Sequence, residues 1–276
     1  MPSPALLTRP APIRTHARTK DTSMHTLTPV TTPIRHQRYS TLVRVELRKM
    51  LDTRSGKGIL AAAIGLAIVL LGWKLFHTST VEVSFSSYNS AGGPSVAFIL
   101  PLVGLLAMTS EWTQRTALTT FTMSPKRLRV FSAKLVAALF LAVVVVVATL
   151  VLTFLATLLG GVISGDGASF DNIAGELRIS VIATLLQVVR GAATGALLPI
   201  TGLAVGVYFV APTAWAAIAP NVLHGASQWL DIFETYDRLY SNDPGHHLPQ
   251  TITSVLAWVA IPAAVGLYRS THREVK

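Results

Sequence analysis

What this chain of 276 residues lacks removes several classes of function at once. It has no cysteine, so disulfides and thiolate metal sites are excluded, although that absence carries no information about compartment. Only 13% of its residues are charged, against about 25% in ordinary soluble domains, and a deficit of that size points to a membrane protein. No G-x-x-x-x-G-K-[ST] loop occurs. Ser55-Gly56-Lys57-Gly58 lacks both the first glycine and the hydroxyl residue after lysine, so nothing here cradles nucleotide phosphates for ATP hydrolysis. Carboxylates are missing from the apolar runs, where a proton- or sodium-coupled carrier would need them. His-Glu-x-x-His is absent, and the histidines at 16, 25, 36, 77, 224, 246, 247 and 272 fall in tails or loops and read as solvated. Ser180 and the apolar-run threonines therefore have no histidine at their depth to act as base, and no enzymatic role is expected.

What is present is apolar length. Half of the chain is hydrophobic, and runs at about 59–76, 94–109, 135–160, 179–198, 202–220 and 251–268 are each read as a membrane span. The expected fold class is an all-α membrane protein of six transmembrane helices in one domain, 38–276. Trp73 and Lys74 are placed as interfacial anchors of the first span. Pro101 interrupts the second and Pro262 the sixth, each a place for a kink. Pro199-Ile200-Thr201 reads as the tight turn between spans four and five. Residues 77–93 and 161–177 are read as loops. In 221–250, Trp229, Leu230, Phe233 and Tyr236 are spaced for a short amphipathic helix at the outer surface.

The net charge of +10 could suggest nucleic acid, but the cations gather at the two ends and in one loop, with no aromatic interleaving. They read instead as topology. The N-terminal stretch, residues 110–134 and the C-terminus hold nearly all the Lys and Arg, while the other long loops are acidic or neutral. Both termini are thus expected in the cytoplasm of a multi-pass plasma-membrane protein. Residues 1–37, rich in Pro, Thr, Arg and His, read as a disordered cytosolic tail, with Met24 an alternative start to Met1.

Before the first span, Tyr39, Leu42, Val43, Leu47, Met50 and Leu51 fall on one helical face opposite Arg44 and Arg48. This is the pattern of an amphipathic helix lying in the membrane interface. Glu46 sits inside that apolar stripe, and two readings stand: it snorkels or pairs with Lys49, or it meets a partner protein.

Residues 110–134 form a polar, cationic island with Arg115, Lys126, Arg127, Arg129 and Lys134 against one acid, Glu111. Ser124-Pro125 reads as a helix start, a hydroxyl at the N-cap and a proline at N1. Arg127, Phe131 and Lys134 then share a face. An ordinary positive-inside loop would account for the charge alone. The ordered motif, Glu111, Arg115-Thr116, a threonine-rich stretch, Ser124-Pro125-Lys126-Arg127 and Lys134, resembles the segment between spans two and three of ABC-2 type transporter permeases, and Arg115 stands where many members have glycine. Val45-Glu46-Leu47-Arg48-Lys49, Gly195-Ala196-Leu197-Leu198 and the ending His272-Arg273-Glu274-Val275 are also similar to that family, with Pro199 in place of its usual arginine.

The resemblance implies the permease subunit of an ATP-driven exporter, which dimerises with itself or a paired permease in the lipid bilayer. It implies a cytoplasmic coupling segment docked on a separate cytosolic ABC ATPase that holds the ATP and Mg; the permease itself binds no cofactor and no nucleic acid. Glu46, Glu111, Arg115, Pro125, Lys126, Arg127 and Lys134 are then the candidate ATPase-coupling residues. The alternatives are a six-span scaffold or assembly protein without transport activity, and a secondary carrier, which the missing carboxylates disfavour.

Arg190 is the one charge deep in a span, at about 2.5–3.5 kcal/mol on insertion scales. With Gln187 one turn earlier on the same face, it is a candidate for the substrate path. The competing reading is a structural hydrogen bond to carbonyls freed at Pro199, Pro212 or Pro220.

Overall fold

The computed structural model describes residues 38–77, 82–113, 127–240 and 247–272. The tail expected over 1–37 and most of the basic island lie outside them. The described residues are helical, with one isolated parallel bridge between Ser84 and Ser169. Short α1 (Tyr39–Asp52) precedes α2 (Arg54–Phe76), α3 (Phe85–Ile99), α4 (Pro101–Thr113), α5 (Arg127–Ser164), α6 (Ile173–Leu197) and α7 (Thr201–Leu223). A 3-10 turn over His224–Trp229 leads to α8 (Ile232–Tyr240), then α9 (Leu248–Val255), a π turn over Leu256–Ala260 and α10 (Ile261–His272). Six helical stretches are long and apolar enough to cross a membrane, so the chain is an all-α, multi-pass membrane protein.

Local chemistry sets the element ends. Thr53 caps α2, its hydroxyl accepting from the Gly56 amide at 3.1 Å, and Ser84 caps α3 through the Ser87 amide at 3.2 Å. Asp231 caps α8, its carboxylate accepting from the Phe233 amide at 2.9 Å and the Glu234 amide at 3.3 Å. Pro101, which has no N–H to return to Ala97, opens α4 after a break at Leu100, so α3 and α4 form one interrupted span. In the last span the interruption takes another form: the extra residue of a π turn sits just ahead of Pro262.

All six spans begin earlier than hydropathy suggests, the third at Leu128 rather than 135 among them. The second starts at Phe85 rather than 94, and the fourth at Ile173 rather than 179. The polar residues that looked like loop satisfy one another between helices. Asn89 Nδ2 donates to Glu176 Oε2 at 2.9 Å and to Ser180 Oγ at 3.0 Å, and Ser86 Oγ donates to Glu176 Oε1 at 2.8 Å. Lys74 turns inward to the Ser87 hydroxyl at 2.6 Å, whereas Trp73 beside it stays exposed as an anchor would.

The core is built from small residues. Ala63, Ala67, Ala137, Ala138 and Ala142 are fully buried among Val96, Leu100, Leu141 and Val145, which draws α2, α3 and α5 together. Closest of all are α4 and α6. A Cβ on Gly191 would strike the Pro101 carbonyl oxygen, one on Gly195 would lie 2.5 Å from that of Leu105, and one on Gly104 2.6 Å from that of Val188. Gly191 and Gly195 are one turn apart on α6, the spacing that lets two membrane helices touch backbone to backbone. The opposite faces of α5 and α7 expose large apolar side chains, among them Val144, Val151, Phe154, Val210 and Ile218.

Candidate functional site

Three cations are buried among the described residues, Lys134, Arg190 and Arg238, and the two deepest are Lys134 and Arg190, at 4% and 5% exposure. They lie in different surroundings.

Lys134 is two turns into α5 and faces α1. Its Nζ donates to the Ala107 carbonyl of α4 at 2.9 Å and lies 4.0 Å from Glu46 Oε2. Glu46 Oε1 accepts from Lys49 Nζ at 2.7 Å. Of the two readings of Glu46, the pairing with Lys49 is present, and the carboxylate also reaches a cation 88 residues away in sequence that local spacing could not reveal. The helix turns Leu42, Val43, Glu46, Leu47 and Met50 toward the bundle, so the buried stripe is centred on Glu46, and Tyr39 and Leu51, assigned to the apolar face from spacing, are exposed. Val43, Leu47 and Met50 join the same core as Ala137, Ala138 and Leu141 of α5. The Tyr39 hydroxyl adds a bond to Ser132 Oγ at 3.2 Å. A cavity of about 110 Å³ lies beside Glu46, lined by Lys49, Gly56, Val103 and Ala107 among others.

Glu46 and Lys134 are thus brought together, buried within the chain rather than presented outward. Glu111 lies in the last turn of α4, and Arg127 opens α5. Arg115, Pro125 and Lys126 lie outside the described residues, as does the helix start expected at Ser124-Pro125.

Arg190 occupies the middle of the bundle on α6. Its guanidinium carbon stacks over the Tyr208 ring of α7 at 4.1 Å from the centroid and lies 5.9 Å from that of Tyr236 on α8. Such stacking contributes about 2 kcal/mol where the cation is desolvated. No described carboxylate pairs with Arg190, and its Nε and Nη1 have no hydrogen-bond partner. The bond to a proline-freed carbonyl that sequence offered as an alternative is not formed by either nitrogen. The Tyr208 and Tyr236 hydroxyls, both buried, are likewise unpartnered.

These groups border a cavity of about 250 Å³ between α3, α6, α7 and α8. Gln187 lines it beside Arg190, as their spacing predicted, and Phe98, Phe209 and Phe233 form apolar walls. Phe98 and Phe209 stack with centroids 4.6 Å apart. Burial pushes the Tyr236 phenol well above the usual range, further than the Arg190 charge pulls it back, so its hydroxyl stays a proton donor.

The covering helix departs from expectation. Trp229 and Leu230 precede α8 instead of belonging to it, and Trp229 and Phe233 are exposed by 42% each. The inward face is Ile232, Thr235 and Tyr236, which seats α8 against the bundle. Two indoles hold this region: Trp258 Nε1 donates to the Leu230 carbonyl at 2.6 Å and Trp215 Nε1 to that of Ser227 at 3.2 Å.

Spacing placed Gln187 and Arg190 on one face but gave no sign that Tyr208 and Tyr236 lie beside them. A tyrosine in an apolar run and another on a loop helix carry no signal that they meet on one cation. The Gly191–Gly195 spacing was available as a sign that α6 is tightly packed. A scan against protein-family models finds no match for the chain, and a search of curated proteins finds none either.

Proposed function

We propose that the chain is the membrane-spanning subunit of an ABC-2 type, ATP-driven exporter, working with a separate cytosolic ATPase that holds ATP and Mg. The observation that supports this best is the seating of α1 on the first turns of α5 through Glu46, Lys134 and the Val43–Leu47–Met50 face. It joins the helix ahead of the first span to the stretch that follows the basic segment 114–126. A partner pressing on either would then act on both. Glu46 and Lys134 in this reading fix α1 to α5, while Glu111, Arg115, Pro125, Lys126 and Arg127 supply the docking segment itself. Both termini and that segment face the cytoplasm of the plasma membrane, and two such permeases pair around the transport path. Gln187 and Arg190 line the path.

Purification in mild detergent from native membranes, with mass spectrometry of the associated proteins, tests this. A stoichiometric ATPase with a phosphate-binding loop, lost in Arg127→Glu, is the expected result. An intact, folded preparation with no ATPase would replace this reading with a scaffold. In the same system Arg190→Ala is expected to fold and assemble but export less.

A further inference from the structure

We propose that the cavity at Arg190 binds an amphiphilic anion, a phosphate or carboxylate carried on an apolar body. This deepens the substrate-path reading of Arg190 and rests on it only in treating the occupant as cargo; the binding site is an independent claim.

The argument starts from an imbalance. A buried guanidinium ordinarily finds a carboxylate or several carbonyls, because its five donors are costly to strand away from water. Here Nε and Nη1 have no partner and no access to water, and the residue, packed on the Tyr208 ring, forms part of a cavity wall. The tyrosine rings balance part of the charge, but a ring face accepts no directed N–H bond. Arg190 therefore keeps donors on both edges of its guanidinium for the oxygens of an anion. Tyr208 and Tyr236 add two buried hydroxyls without partners. An unanswered guanidinium in the wall, two tyrosines beside it and no described carboxylate paired with it select a negative group.

The remaining walls decide what is attached to it. Pro94, Ala97, Phe98, Phe209 and Phe233 offer nothing to a hydrated ion, and an inorganic anion would lose its water against them for little return. An apolar body would gain from the same surfaces. A space of about 250 Å³ admits a headgroup and a few carbons rather than a large solute. The source of such a molecule is either a bilayer lipid or an amphiphile taken from solution.

Titration calorimetry on the full chain in phosphatidylcholine nanodiscs, with empty discs subtracted and no ATPase present, reads this directly. Failure here leaves the copurification result untouched, and the reverse holds too. Decyl phosphate and decanoate are expected to bind saturably, about tenfold tighter than decanol, and Arg190→Gln to remove that preference. Decanol binding as tightly as decyl phosphate, or an unchanged preference in Arg190→Gln, would overturn the proposal. Inorganic phosphate binding as tightly as decyl phosphate would overturn the amphiphile assignment. Should Arg190→Gln not fold, the double variant Tyr208→Phe, Tyr236→Phe keeps the ring faces and removes two donors. It is expected to weaken decyl phosphate by about threefold or more, and no change would count against the site. Adding phosphatidylglycerol to the discs separates the sources: competition identifies a bilayer lipid, and undiminished binding a dissolved amphiphile.

Discussion

Lys134 and Arg190 are two cations buried to the same depth in one bundle, and their surroundings differ in kind. Lys134 has a carbonyl at 2.9 Å and a carboxylate at 4.0 Å, with Lys49 completing that carboxylate's partners. Arg190 has two aromatic faces, two bare nitrogens and a cavity. The first arrangement is closed: every group answers another within the chain, and its product is position, the seating of α1 on α5. The second is open, since its electrostatic complement is not among the described residues. Burial alone thus separates neither case, and what tells architecture from a binding site is whether the desolvated charge has been answered.

Substitutions can sharpen or break that contrast. The largest effect is expected from Gly191→Leu, which forces a side chain against the Pro101 backbone and drives α4 apart from the helix that carries Arg190. It should abolish a monodisperse peak in size-exclusion chromatography. Next is Glu46→Ala, which removes the carboxylate beside the buried Lys134 and should lower stability by about 3 kcal/mol, read as a fall in melting temperature in detergent. Arg190→Met, which removes an unanswered charge, should leave the melting temperature unchanged or raise it. If it fell as far as in Glu46→Ala, Arg190 would be structural and the contrast would collapse. Asn89→Ala, which deletes bonds to Glu176 and Ser180, is expected to cost about 1–2 kcal/mol by the same readout. Smallest is Tyr236→Phe: its hydroxyl has no partner in the chain, so a change below about 0.5 kcal/mol is expected.

The same logic explains what could be read in advance. The spans were legible because long uncharged runs have few other fates, and Arg190 because one charge interrupts such a run. The ends of spans two and four were not. Ser86 and Asn89 look like loop until Glu176, 87 residues beyond Asn89, supplies the acceptor that permits a helix there. Spacing on α1 placed Glu46 among apolar residues and offered Lys49 as its partner, but Lys134 is a fact of tertiary packing. Tyr208 and Tyr236 were invisible for the same reason, each ordinary in its own segment and meaningful only beside Arg190. Of residues 110–134, whose order carries the proposed resemblance to ABC-2 permeases, 114–126 lie outside the described residues, and that proposal rests on sequence order and on the helices at either side.

The glycine contacts between α4 and α6 have a mechanical consequence. Helices separated by a layer of side chains can slide as rotamers readjust, which is how shear motions proceed. Where Gly191 and Gly195 set backbone against the Pro101 and Leu105 carbonyls, that lubricating layer is absent. The two helices are braced backbone to backbone, the one ending at Thr113 and the other carrying Arg190. A displacement of one helix is therefore harder to absorb within this contact than across interlocking side chains.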